Sequence, residues 1–148
     1  MNMNVTKKEY KLLLDMLSIA DWIMHAYAIK KTDYHQEHEV LKNKLLSYFK
    51  EMDAEDIIES SDEHDFYETS NYETYIQNKF IQPYDDKYFW DTLVERLAER
   101  DLINSVGMEA YSKMNLIDRM TKLDKTKDKY INEFKKNGLN NLKLNIPF

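Results

Sequence analysis

Two glycines and two prolines in 148 residues leave little with which to turn a chain tightly. Hairpin turns and phosphate-cradling loops draw on Gly, Pro and Asn at fixed positions. A β-sandwich, a hairpin-rich barrel or a Gly-loop nucleotide fold would need several such positions. What remains is helices joined by short polar connections. The expectation is all-α: an antiparallel bundle of four main helices plus one or two short ones, with an extended C-terminal tail. The length suits a single helical domain over 1–148, with 1–5 and 139–148 as terminal extensions. Hydrophobic residues at 43% supply a core, so a globular chain rather than a disordered one is expected.

The start and stop signals for those helices are local. Thr6-Lys7-Lys8-Glu9 has the form of a capping box, in which a hydroxyl and a Glu satisfy each other's backbone N–H groups. It opens a helix to about Lys30. Tyr10, Leu13, Leu14, Leu17 and Met24 share one face, and Leu12, Met16, Ile19 and Ile23 a neighbouring one. A helix apolar over so much of its girth is expected at the centre of the bundle. A short turn near Lys31–Thr32 leads to a second helix, about 34–50, with Val40, Leu41, Leu45, Tyr48 and Phe49 inward. Ser70-Asn71-Tyr72-Glu73 reads as a second capping box, starting a short helix that Pro83 limits. Asp85 or Asp86 would cap a helix from Lys87 to about Asn104, whose inward residues are Phe89, Trp90, Leu93, Val94, Leu97 and Ala98. Gly107 marks a turn. The last long helix, about 115–137, presents Leu116, Met120, Leu123, Tyr130, Ile131 and Phe134, and Gly138 stands where a left-handed residue closes a helix. Leu17, Trp90, Leu97 and Leu123 are expected to be nearly fully buried. From Leu142 to Phe148 apolar and polar residues alternate, the pattern of an extended segment.

Charge is unevenly placed. The net charge is −6, which disfavours direct binding to nucleic acid or to an anionic membrane surface. Residues 51–68 hold nine acids and no Lys or Arg, whereas 119–148 hold eight bases against three acids. With no cysteine, thiolate metal sites, disulfides and cysteine nucleophiles are excluded. The N-terminus lacks the apolar core of a signal peptide. The apolar run from Leu12 to Ile29 is broken by Asp15, Ser18, Asp21 and His25, which argues for a core helix rather than a membrane span. A cytoplasmic, bacterial-type acidic protein is the expected setting.

Two constellations could carry function. Asp21 and His25 lie one turn apart on a helix, and His35 and His38 lie across the expected hairpin turn. Three imidazoles and a carboxylate suit a zinc-like ion with an open position for water, the basis of a metal-dependent hydrolase. Against this, no Glu-x-x-His occurs, and no His follows His64. The second constellation is the acidic stretch with its neighbouring aromatics: Asp53, Glu55, Asp56, Asp62, Glu63, Asp65, Tyr67, Tyr72 and Tyr75. Tyrosines beside carboxylates form an interaction surface suited to a basic protein. No Gly-x-x-x-x-Gly-Lys, Gly-x-Gly-x-x-Gly or Gly-x-Ser-x-Gly is present.

The expectation is therefore a non-catalytic acidic binding or regulatory module without a cofactor. It would engage a protein partner with a basic surface through the acidic–aromatic segment, as inhibitor and immunity proteins do. The alternatives are the hydrolase, and a self-associating structural domain that acts as a homodimer.

Overall fold

A computed structural model of the chain describes residues 4–26, 36–61 and 65–143. The fold is all-α apart from one small β-hairpin. Its elements are α1 (Lys7–His25), α2 (Gln36–Leu46), β1 (Ile58–Ser60), β2 (Phe66–Glu68), α3 (Ser70–Ile76), α4 (Gln82–Val106), α5 (Met108–Lys113) and α6 (Leu116–Asn137). The chain divides into two compact units, 1–84 and 85–148, with the division inside the first turn of α4.

In the first unit, α1 begins at the capping box that the sequence announces. The Glu9 N–H donates to the Thr6 hydroxyl, and the Thr6 N–H donates back to the Glu9 carboxylate. The start of α1 is joined to the end of α2: the Tyr10 hydroxyl donates to the Leu45 carbonyl at 2.7 Å. Near its other end, Asp21 meets Lys42. The two helices therefore run antiparallel, as the short connection requires; the connection itself, with His35, lies outside the described residues. Beyond α2 the chain makes turns through Asp53, the one non-glycine residue with positive φ (50°) among those described. Asp tolerates that conformation better than most side chains. The β-hairpin follows, with Glu59 opposite Tyr67 in antiparallel register. Tyr10, Leu14, Leu46, Phe49, Ile57, Ile58, Tyr72, Ile76 and Ile81 form the core of this unit.

Several expected faces are corrected. In α1 the buried line is Tyr10, Leu14 and Ser18, at four-residue spacing, while Leu12, Met16 and Ile23 are more than half exposed. The helix packs on one side and is not enclosed. Ser18 replaces an apolar residue in that line because its hydroxyl has acceptors there. In α2 the inward residues are Leu46 and Phe49; Val40, Leu41 and Tyr48 are exposed. The helix ends at Leu46, and the turn that follows rotates Phe49 inward against Phe66, ring to ring at 6.0 Å.

The second capping box is displaced by one residue. Thr69, not Ser70, caps α3, accepting from the Tyr72 N–H. Thr69 also donates its backbone N–H to the Ile57 carbonyl, so the hairpin fixes where the helix starts. Pro83 does not stop a helix. A π-helical turn at Gln77–Ile81 precedes α4, and Pro83 occupies the second position of α4. There its missing N–H falls where the wider turn has already altered the hydrogen-bond ladder. Asp85 and Asp86 are consequently inside the helix and not at its start.

In the second unit, Val94, Leu97, Ala98 and Leu102 are the buried line of α4. Phe89 is half exposed, and Trp90 and Leu123 are half-buried, as is Leu17 in the first unit; only Leu97 of the four expected core residues is buried. Gly107, at φ 84°, breaks the chain between α4 and the short α5. Asn115 caps α6 by accepting from the Asp118 N–H. Trp90, near the start of α4, meets Phe134, near the end of α6, with ring centroids 5.4 Å apart, and Lys127 pairs with Glu95. The two helices are thus antiparallel. Of the expected inward residues of α6, Leu116, Met120 and Ile131 are exposed. Gly138 ends the helix with its N–H on the Phe134 carbonyl. A turn follows, in which the Leu142 N–H donates to Leu139. Residues 144–148 of the expected extended tail lie outside the described residues.

Tyr10 makes the hinge of this arrangement testable. It is 2% exposed, and burial pushes its phenol up to about 12. An unfolded tyrosine titrates near 10, so the stability carried by neutral Tyr10 is whole below about pH 10 and is lost as pH rises through the folded value. Tyr10→Phe should cost about 1 kcal/mol at neutral pH through the lost bond to Leu45. The same variant should lose stability less steeply than the wild type between about pH 10 and 12 in chemical denaturation.

Candidate functional site

The polar residues that interrupt the apolar run of α1 form one stripe. Ser18, Asp21 and His25, at positions i, i+3 and i+7, face the same side. His25 Nδ1 lies 3.0 Å from Asp21 Oδ1. Lys42, from α2, reaches in between α1 and β2. Its ammonium donates to Asp21 Oδ2 and to Glu68 Oε1, each at 2.9 Å. The Ser18 hydroxyl sits 2.8 Å from Glu68 Oε1 and 2.9 Å from the Leu14 carbonyl, its single proton shared between them. One lysine thus joins α1, α2 and the hairpin.

Burial works to lower the Lys42 pKa, but the hydrogen bonds and charges of Asp21 and Glu68 outweigh it and raise the value. Lys42 is held as an ammonium and has no lone pair with which to act as a base. Glu68, the nearest base for Ser18, is clamped by that ammonium.

Beside it, Tyr72 is buried, and its hydroxyl donates to Asp15 Oδ1 at 2.8 Å. Burial first, and then the Asp15 carboxylate, raise the Tyr72 phenol well above its ordinary value. The more exposed Tyr75 stacks on Tyr72 with centroids 5.9 Å apart. Its hydroxyl accepts from Lys79.

The cluster forms part of the wall of an open cleft of about 740 Å³ in the first unit. Glu39, Asp65 and Glu73 join Asp21 and Glu68 around it, so five carboxylates stand against the single Lys42. Trp22, Val40, Phe66, Tyr67, Ile76 and Ile81 supply apolar surface between them. A cleft with excess negative charge and aromatic walls suits a cationic side chain with an apolar stem.

The expected partner-binding residues are distributed as follows. Asp65 and Tyr67 line the cleft. Asp53 pairs with Lys7, and Asp56 with Lys11 at 2.7 Å; the Lys11 hydrogen bond lowers the Asp56 pKa. These two acids therefore tie the post-α2 turns back to α1. Glu55 is exposed, Tyr72 belongs to the core and Tyr75 to its margin. Asp62 and Glu63 lie outside the described residues.

Of the expected metal set, Asp21 and His25 meet, but both Asp21 oxygens are engaged, by His25 and by Lys42. An ammonium beside the carboxylate opposes a second cation there. His38 lies on α2 and His35 lies outside the described residues. Among the described residues no three His, Asp or Glu side chains are grouped to hold a metal ion, and no helix is long and apolar enough to cross a membrane.

Sequence reasoning missed Lys42, Glu68, Glu39 and Glu73. The available signal was the stripe of Ser18, Asp21 and His25 in an apolar helix, since a carboxylate there needs a partner. Which lysine answers it depends on the fold. Comparison of the chain with protein-family models, with curated proteins and with solved structures finds no match.

Lys42→Met should leave Asp21 and Glu68 without their counter-ion in a partly buried place and cost about 1–3 kcal/mol. Adding Glu68→Gln to Lys42→Met should recover part of that loss. Equal melting of Lys42→Met and wild type would mean that the three elements are held together by the apolar core alone.

Proposed function

We propose that this chain is a non-catalytic acidic helical module that binds a protein partner through a basic, extended segment of that partner. The observation that carries the reading is the cleft of the first unit, where five carboxylates face one lysine among aromatic and aliphatic walls. Glu39 and Glu73 form no ion pair among the described residues, and the Asp65 carboxylate accepts from the Ser61 hydroxyl. Their charge is thus left to attract an arginine or lysine. The apolar walls would cover the stem of such a side chain. An inhibitor that occupies the basic substrate site of an enzyme, as immunity proteins do, is one form of such a module. The charge steers encounter more than it sets final affinity.

The test is association kinetics with a basic partner captured from the native lysate. Screening shrinks from a length of about 10 Å in roughly 0.1 M salt to about 3 Å in roughly 1 M salt. Association should slow about tenfold or more over that range. The combination Glu39→Gln, Asp65→Asn and Glu73→Gln should lower the on-rate more than it raises the off-rate. A partner whose association ignores both salt and these substitutions would remove electrostatic docking at the cleft.

One observation favours a second reading, a self-associating structural domain. Leu12, Met16 and Ile23 form a stripe along α1 with 54%, 68% and 56% exposure. Apolar rows of this kind along a helix are covered in many oligomers. Light scattering would then show a dimer that Met16→Lys converts to monomer; a wild-type monomer at every concentration would leave the first reading alone.

A further inference from the structure

The base-rich C-terminal stretch of the sequence belongs to the second unit, where part of it lines a second cleft. A cleft of about 750 Å³ runs between the end of α4 and the middle of α6. Leu102 and Val106 form its apolar floor, and Lys122, Lys125 and Lys129 stand along α6 at its edge. Their spacing, i, i+3 and i+7, puts all three ammonium groups on one helix face over about 10 Å.

Two carboxylates also line this cleft, and both are already committed. Asp101 accepts from Arg100 at 2.8 Å and from the Tyr130 hydroxyl. Glu133 accepts from the side-chain amides of Asn137 and Asn141 at 2.8 and 2.6 Å. By contrast, Lys122, Lys125 and Lys129 form no ion pair among the described residues; Lys129 acts on Asp101 only through longer-range charge. Two carbonyls near the C-terminus of α4 have donors within the chain. Ile103 accepts from the Gly107 N–H and Leu102 from the Ser105 hydroxyl, each at 2.8 Å. Asp101 is offset by Arg100, whereas Glu133 keeps its charge, so three ammonium groups stand against one uncompensated carboxylate and the lining is positive on balance.

We infer that this cleft binds a small ligand carrying two or more linked phosphate groups. A single phosphate reaches one or two ammonium groups, whereas a linked pair or triplet extends along the row. The volume lies within the range of small-molecule sites, roughly 300–1,000 Å³. Lysines bind phosphate as point charges, without the bidentate fork of arginine. Affinity should therefore follow the number of ligand charges and fall with salt. This inference is independent of the acidic cleft and stands or falls without it.

The experiment is calorimetric titration of the full chain at low ionic strength with inorganic pyrophosphate, tripolyphosphate, orthophosphate, adenosine triphosphate and a short single-stranded oligonucleotide. Pyrophosphate should bind saturably and about tenfold more tightly than orthophosphate. Tighter binding of the triphosphate nucleotide than of inorganic tripolyphosphate would identify the nucleotide as the source; equal binding would identify the free polyphosphate. Combining Lys122→Gln, Lys125→Gln and Lys129→Gln should abolish the heat while leaving helicity and melting of the ligand-free protein unchanged, since the three side chains are exposed. Removing the same charge elsewhere, with Lys8→Gln, Lys44→Gln and Lys50→Gln, should change affinity by no more than about twofold. Absence of saturable pyrophosphate binding, or equal loss in both triple variants, would overturn the site. So would tighter binding of a short single-stranded oligonucleotide than of tripolyphosphate, which would make the lysine row a nucleic-acid contact.

Discussion

The placement of Lys42 between Asp21 and Glu68 is the constraint on which the first unit depends. An ammonium with a partly buried stem must find carboxylates, and these come from two different elements. The contact sets α2 against α1 and brings β2 up to both. Its own contribution to stability is modest, because the desolvation of three charges offsets much of their attraction. Its contribution to geometry is larger. With Lys42 in place, Ser18 can be buried, Asp21 can hold His25, and the cleft acquires a wall of fixed charge.

The sign of charge divides along the chain in a way that total composition hides. The excess of acids lies in the first unit; the second is nearly balanced, with its bases gathered after residue 118. Within the first, part of the acidic stretch is used locally: Asp53 and Asp56 bind Lys7 and Lys11 on α1. Exposed pairs of this type contribute little energy individually. They nevertheless fix the turns after α2, and so the course of the chain into the hairpin. The cleft carboxylates without an ion pair among the described residues include Glu39 from α2 and Glu73 from α3, both outside the acidic stretch.

The chain uses few glycines, and its bends come from other devices. Asp53 adopts the left-handed conformation, Thr69 links strand and helix, and a π-helical turn admits Pro83 without ending the helical path. Of the two glycines, Gly107 and Gly138 both take positive φ at helix ends. They stand where side-chain-bearing residues would be strained.

The sequence by itself determined the all-α class and the helix ends that carry a local signal. Thr6, Asn115, Gly107 and Gly138 act on backbone groups within four residues of themselves, so their signals are complete locally. Part of the inward line of α4 was legible for the same reason: Val94, Leu97 and Ala98 repeat with the helix, whereas Leu102 was not read and Phe89 is half exposed. Only the tertiary structure decided which of two apolar stripes on α1 is buried, since periodicity proposes both Leu14 and Leu12 and the packing surface selects one. It alone joined Ser18, Asp21, Lys42 and Glu68, which are up to fifty residues apart. The acidic stretch was visible as composition, but its division into acids that bind α1 and acids that line the cleft was not. An ion pair over such a separation depends on where the backbone carries each partner, and no local pattern encodes that distance.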